Sequence, residues 1–156
     1  MSSALSSVPR RVMAAVRGGV GGVGCDVASV GRFAAILGGD ACRRERWERR
    51  VLHADEREEL RQLRATHTVE RAAEWVAARW AAKEALKKAL GDVHAVTASE
   101  ICVARREGEA PTLRMEVPWP PGMARAHLSL AHDGGVALAF VVVEKSSGAS
   151  ASREFC

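Results

Sequence analysis

The stretch "RWAAKEALKKALG", Arg79 to Gly91, decides how this chain is read. It closes a run from Val69 in which apolar residues repeat at helical spacing, and Gly91 stops the helix. An alanine-rich helix that keeps Glu84 and the cations Arg79, Lys83, Lys87 and Lys88 is either a solvated face or the wall of an anionic site. Turned at about 100° per residue, the helix gathers Trp75, Ala82, Leu86, Ala89 and Leu90 on one side. Glu84 and Lys88 fall nearly opposite with Trp80 beside them, whereas Lys83 lies away from Glu84 and Lys87 on a different side again. On the helix alone, a Glu84–Lys88 pair at i,i+4, worth about 0.3 kcal/mol, accounts for the charges without any ligand.

The segments on either side predict mixed α and β structure. "GGVGCDVASV" (21–30) alternates Val23, Cys25 and Val27 with Gly24 and Asp26, as a strand does, so Asp26 points away from its apolar neighbours. Helical patterning follows through "RFAAIL", the arginine-dense "CRRERWERRVL" and "HADEREELRQLR", where Asp55 is the expected cap. "EICVARR" (100–106) and "TLRMEV" (112–117) read as strands around the turn "EGEAP". "HLSLAH" (127–132), "DGG" and "VALAFVVVE" (136–144) read as a closing hairpin with one fully buried strand.

At 156 residues and 47% hydrophobic content the chain fits one domain with a real core. The balance of 23 Lys+Arg against 19 Asp+Glu gives +4, a mild bias toward an acidic or phosphorylated partner. Cys25, Cys42, Cys102 and Cys156 form no CxxC pair and no zinc-ligand spacing with histidine, which points to a reducing compartment. The longest apolar run, "VALAFVVV" (136–143), is far short of the roughly 20 residues a bilayer span needs. Residues 1–22 carry Arg10, Arg11 and Arg17 with serines and no acid, the composition of a transit peptide or of a plain disordered extension. A cytoplasmic location is expected, or mitochondrion or plastid if that segment is a transit peptide. The domain is expected over 23–145, and the tail 146–156 reads as disordered.

Four blocks carry a resemblance in their order and separation: "GVGCDV", "RWAAKEALKKALG", "EGEAPTL" and "HLSLAHDGGVALAFVVVE". Together they resemble the holo-acyl-carrier-protein synthases, the short class of 4′-phosphopantetheinyl transferases. That resemblance implies an α+β fold, an antiparallel sheet packed with a long central helix, and a homotrimer with active sites at subunit interfaces. It implies transfer of phosphopantetheine from coenzyme A to a serine of an acyl carrier protein, serving fatty acid biosynthesis, with Mg²⁺ on the coenzyme A pyrophosphate.

Carried over by position, the resemblance makes Asp26 and Glu84 the magnesium carboxylates, hard oxygen ligands of the kind that ion takes. Lys88 is implied to face the phosphates of coenzyme A, and Arg79 and Lys83 match further basic positions, Lys83 with either a phosphate contact or a structural role. His127 and Ser129 are implied on the coenzyme A side. His132, five residues on from His127, lies on the opposite face of the strand and ends it. Neither histidine is assigned as general base. Arg32 matches an arginine that docks the acidic carrier protein, and residues 41–50 add five arginines against Glu45 and Glu48.

Three departures stand out: Ala131 replaces a Ser or Thr, Trp80 replaces a Phe, and Asp92 and Val93 replace the threonine and glycine after Gly91. Two other functions compete. A nucleic-acid binder would need aromatics interleaved with its cations, and the chain has four Trp, three Phe and no Tyr. A non-catalytic homologue would be expected to lose the metal carboxylates, and both are present.

Overall fold

The computed structural model describes residues 19–91, 96–105 and 108–147. Strand β1 (Val20–Ser29) leads into helix α1 (Val30–Gly38), then α2 (Ala41–Val51), α3 (Ala54–Thr66) and the long α4 (Val69–Leu90). A single 3₁₀ turn at Ala98–Glu100 precedes β2 (Ile101–Ala104), β3 (Thr112–Met115), β4 (Met123–Asp133) and β5 (Val136–Lys145). The strands form one antiparallel sheet in the order β1-β5-β4-β3-β2, with α4 packed across its inner face. This is the α+β arrangement the sequence implied.

The bounds of α4 coincide with the sequence reading, fixed by Thr68, whose side chain accepts from the Arg71 amide, and by Gly91 at φ 73°. The other elements shift slightly. β1 opens at Val20, so the last three residues of the 1–22 segment belong to the strand, while residues 1–18 lie outside the described part. β4 starts four residues before His127 because it pairs along the whole of β5. Gly134 and Gly135, at φ 55° and 78°, make the two-residue turn between them. Asp55 does not cap α3. His53 does, its Nδ1 accepting from the Asp55 amide at 3.1 Å while Glu56 reaches back to the His53 amide at 2.9 Å.

The core does not keep to one side of α4. Ala72, Ala73, Val76, Ala77, Ala81, Ala82, Ala85, Leu86, Ala89 and Leu90 are all buried. With the sheet on one side and α1 and α3 on others, the alanines let these elements come close. The closest approach is to β1. A Cβ at Gly24 would lie 1.9 Å from the Ala85 carbonyl oxygen, and one at Gly22 would lie 1.9 Å from that of Ala89. Both glycines of "GVGCDV" are therefore required by packing, and this contact brings Asp26 to the helix.

β5 is not the fully buried strand the sequence implied: its residues alternate between the core and the sheet's other face, which also carries the alternate residues of β1 and is apolar. Val23, Val27, Leu138 and Phe140 are 53%, 57%, 39% and 43% exposed. The sequence reading separated these residues from Asp26 correctly, yet it is Asp26, paired across to buried Ala139, that faces the helix.

Candidate active site

Asp26 and Lys88 meet at the seam of β1 and α4. Lys88 Nζ donates to Asp26 Oδ1 at 2.7 Å and to the Cys25 carbonyl oxygen at 3.0 Å. The hydrogen bond to Asp26, followed by the nearby charges of Asp26 and Glu84, holds the Lys88 ammonium above its ordinary pKa. Glu84 lies one turn back on the same helix and accepts from Lys87 Nζ at 3.3 Å. The i,i+4 pair expected from the sequence is thus replaced by two others: Lys88 bridges to the strand, and Lys87 takes Glu84. Lys87 is not an isolated cation, contrary to its place on the wheel.

The result is two half-shielded carboxylates, Asp26 at 16% and Glu84 at 26% side-chain exposure, each holding a lysine at a surface seam. Asp26 comes from the strand and Glu84 from the helix, and both supply carboxylate oxygens. That donor set fits a small hard cation such as Mg²⁺, which takes one or two protein carboxylates and completes its shell with phosphate and water.

Lys83 is not part of this seam. Its side chain is fully buried, and Nζ donates to Glu56 Oε2 at 2.5 Å, the Val51 carbonyl at 2.7 Å and the Ala98 carbonyl at 3.0 Å. An ammonium has three donors, and all three are used. Burial lowers the Lys83 pKa, opposed by the Glu56 charge. Arg79 stays on the same side, with Nη2 on Glu59 Oε2 at 3.0 Å and its guanidinium 3.4 Å from the Trp75 ring centroid. Both cations, for which phosphate contacts were implied, serve an internal ion-pair network with α3, and for Lys83 this is the structural one of its two expected roles. Glu56, which the sequence reading passed over, is the hub of that network, since its other oxygen accepts from the Val103 amide at 2.9 Å.

His127 and Ser129 lie on the outer face of the sheet, paired across to Val142 and Phe140, while Asp26 pairs with Ala139 on the inner face. Within one chain they do not join Asp26 and Glu84. His127 Nε2 is 3.0 Å from Glu144 Oε2, which also accepts from Arg125 Nε at 2.6 Å, and Glu144 is only 5% exposed. His132 is exposed near the end of β4. Asp92 lies outside the described residues.

Arg32 is exposed on α1, its guanidinium carbon 5.0 Å from the Trp80 ring centroid and 5.3 Å from that of Phe33. Trp80, Phe33 and Trp47 form a cluster with centroid separations of 5.7 to 6.4 Å. The Trp80 departure therefore packs, and it seats Arg32. Beside it on α2, Arg43, Arg46 and Arg50 are exposed with no carboxylate partner among the described residues, whereas Arg44 and Arg49 pair with Glu48 and Glu45.

The family model of the 4′-phosphopantetheinyl transferase superfamily matches residues 22–141, a span that contains most of β1, all of α4 and the seam between them. The chain belongs to this superfamily. Among similar transferases, the holo-[acyl-carrier-protein] synthase of Anaeromyxobacter dehalogenans is 42% identical over 130 residues, covering 79% of this chain and 94% of that protein. That of Frankia casuarinae is 39% identical over 128 residues, covering 79% and 96%. In structure, the Bacillus anthracis holo-(acyl-carrier-protein) synthase in complex with coenzyme A (3′,5′-ADP) superposes with a TM-score of 0.64 at 29% identity, covering 81% of this chain and 98% of that one. No helix among the described residues is long and apolar enough to cross a membrane.

Proposed function

We propose that this chain is a holo-acyl-carrier-protein synthase, moving 4′-phosphopantetheine from coenzyme A to a serine of an apo-acyl carrier protein. The observation that carries the reading is the β1–α4 seam, where Asp26 is held against Lys88 with Glu84 alongside, in a chain of the transferase superfamily. In the reaction the serine hydroxyl gives up its proton to solvent and its oxygen forms a bond to the phosphorus that bears pantetheine. The pyrophosphate bond to that phosphorus breaks, and 3′,5′-ADP leaves. Such transfers demand little of the protein beyond positioning and charge stabilisation.

Asp26 and Glu84 would hold Mg²⁺, which when bound neutralises charge on the pyrophosphate oxygens. Lys88 is a mobile point charge within reach of the same position, suited to the leaving phosphate. The two glycines beneath Asp26 keep the strand carboxylate in register with the helix residues, so that positioning is set by backbone packing.

A complete site then requires a second copy. His127 and Ser129, the coenzyme A side in the family pattern, lie on the opposite face of the sheet from Asp26. That face also exposes Val23, Val27, Leu138 and Phe140, an apolar surface of the kind that marks an interface. A homotrimer, in which the outer face of one subunit meets the seam of its neighbour, covers the apolar residues and unites the two halves. Arg32 and the unpaired α2 arginines would dock and steer the acidic carrier protein.

The test is the intact mass of an apo-acyl carrier protein after incubation with the chain, coenzyme A and Mg²⁺. A gain of roughly 340 Da, one phosphopantetheine, is expected, with loss of the gain in Asp26→Ala and Glu84→Gln. No gain with the unaltered chain, or a full gain with either variant, refutes the reading. Light scattering of the same preparation reads the trimer independently.

A further inference from the structure

We propose that His53, Asp55 and Cys102 form a second metal site, for a thiophilic divalent cation of the zinc type, at the β2 edge of the sheet. The three ligand atoms, an imidazole nitrogen, a carboxylate oxygen and a sulfur, lie within 4.8 Å of one another. His53 Nδ1 and Asp55 Oδ2 are already 3.6 Å apart. Zinc–ligand bonds of about 2.0–2.3 Å in a tetrahedron set ligand separations of about 3.3–3.8 Å. One edge of the tetrahedron is therefore in place, and the third ligand atom, the Cys102 sulfur, lies within 4.8 Å of both.

The imidazole is set up as ligating histidines are. Nδ1 accepts the Asp55 amide hydrogen, so the ring proton is on Nε2, and Nε2 lies 2.6 Å from Glu116 Oε1. A carboxylate behind the far nitrogen fixes tautomer and ring orientation and raises the basicity of the near one. His53 and Cys102 are 4% and 3% exposed, so two ligands are rigid and the third opens to solvent.

A cation already occupies the approach to the cluster. Arg114, the cross-strand partner of Cys102, places Nη2 2.6 Å from Asp55 Oδ2. One ligand thus already holds a positive charge beside the cluster, on a side chain 60% exposed that can move out into water. Binding transfers the Nδ1 lone pair from the Asp55 amide to the metal. The Cys102 S–H bond is replaced by S–metal, and the proton goes to solvent. Burial pushes the Cys102 thiol up, so the metal must drive that proton loss. The site is distinct from the β1–α4 seam, because β1 and β2 are opposite edges of the sheet. Its occupation would tie the start of α3 to β2 and β3.

The probe is Co²⁺, titrated into the full chain and followed by the thiolate-to-cobalt charge-transfer band and by thermal unfolding. The band is expected, with a rise in melting temperature. Cys102→Ser should abolish the band, and Asp55→Asn should weaken binding. Glu116→Gln should weaken it about 10–100-fold through the histidine, and Arg114→Ala should tighten it. Circular dichroism verifies that each variant is folded. Absence of the band, or its persistence in folded Cys102→Ser through the exposed Cys25 or Cys42, overturns the proposal.

Discussion

Lys83→Met separates a phosphate-binding lysine from a structural one, because the two roles predict opposite readouts. In the structure the substitution strands Glu56, fully buried, with only the His53 and Val103 amides and the more distant Arg79 guanidinium at 4.0 Å. It also removes the donor from the Val51 and Ala98 carbonyls. Taking one partner from a buried ion pair costs about 3–5 kcal/mol, since the other charge stays desolvated. That is a large part of the roughly 5–15 kcal/mol by which domains are stable. At about 2–4 °C per kcal/mol for a chain of this size, the melting temperature should fall by roughly 6–20 °C.

Urea unfolding gives the loss directly, and calorimetric titration of coenzyme A on the folded fraction gives the binding arm, expected to be nearly unchanged. Converting Glu56 to Gln in the Lys83→Met background should recover much of the loss, because no charge is then left buried. A cost under about 1 kcal/mol with a marked drop in coenzyme A affinity would refute the network as the role of Lys83.

Five other outcomes are expected. Lys88→Ala should weaken coenzyme A binding in a calorimetric titration with little change in unfolding, because its pair with Asp26 is exposed. Lys87→Ala is expected to have the smaller effect on that titration, through Glu84 alone. Gly24→Ala should part β1 from α4, costing on the order of 1–3 kcal/mol and depressing transfer more than binding of the carrier protein, as steady-state kinetics would resolve. Arg32→Glu should raise the carrier-protein KM and flatten its dependence on salt while leaving coenzyme A binding alone. Burial raises the Glu48 pKa above 4.5, so the folded state holds that proton more tightly and the benefit is lost as pH rises through the raised value. Glu48→Gln should therefore gain stability relative to the unaltered chain as pH climbs from about 4.5 to 7 in urea titrations.

Much of this fold was legible because local signals agree with the tertiary answer. Alternation in "GVGCDV", the apolar run "VALAFVVVE" that marks a strand, the two glycines of the last hairpin and the stop at Gly91 each act over a few residues. The side-chain partners were not legible in the same way. A helical wheel places Glu84 and Lys88 together, but Lys88 goes to Asp26, 62 positions away, because glycines in β1 remove the Cβ atoms that would hold the strand off α4. The structural role open to Lys83 has a signal in the sequence: it stands seven, four, three and seven residues from Val76, Arg79, Leu86 and Leu90, all buried on one stripe. A lysine in such a stripe needs a buried acid, and "HADE" supplies one, since a glutamate at the third position of α3 is set by its capping bond to face inward.

The same reasoning bears on why α4 carries so many charges. Its cations divide by depth, the earlier two buried and the later two exposed. Arg79 and Lys83 turn inward to Glu56 and Glu59, where desolvation makes them worth having only as members of a closed network. Lys87 and Lys88 stay in water on Glu84 and Asp26, where a pair is weak and can be exchanged for a phosphate or a metal at small cost. One helix thus holds a rigid half that fixes α3 and β2 and an exchangeable half at β1. The rigid half gives the exchangeable half its precision, because the ion proposed between Asp26 and Glu84 would be held by strand and helix together only if α4 cannot slide along the sheet.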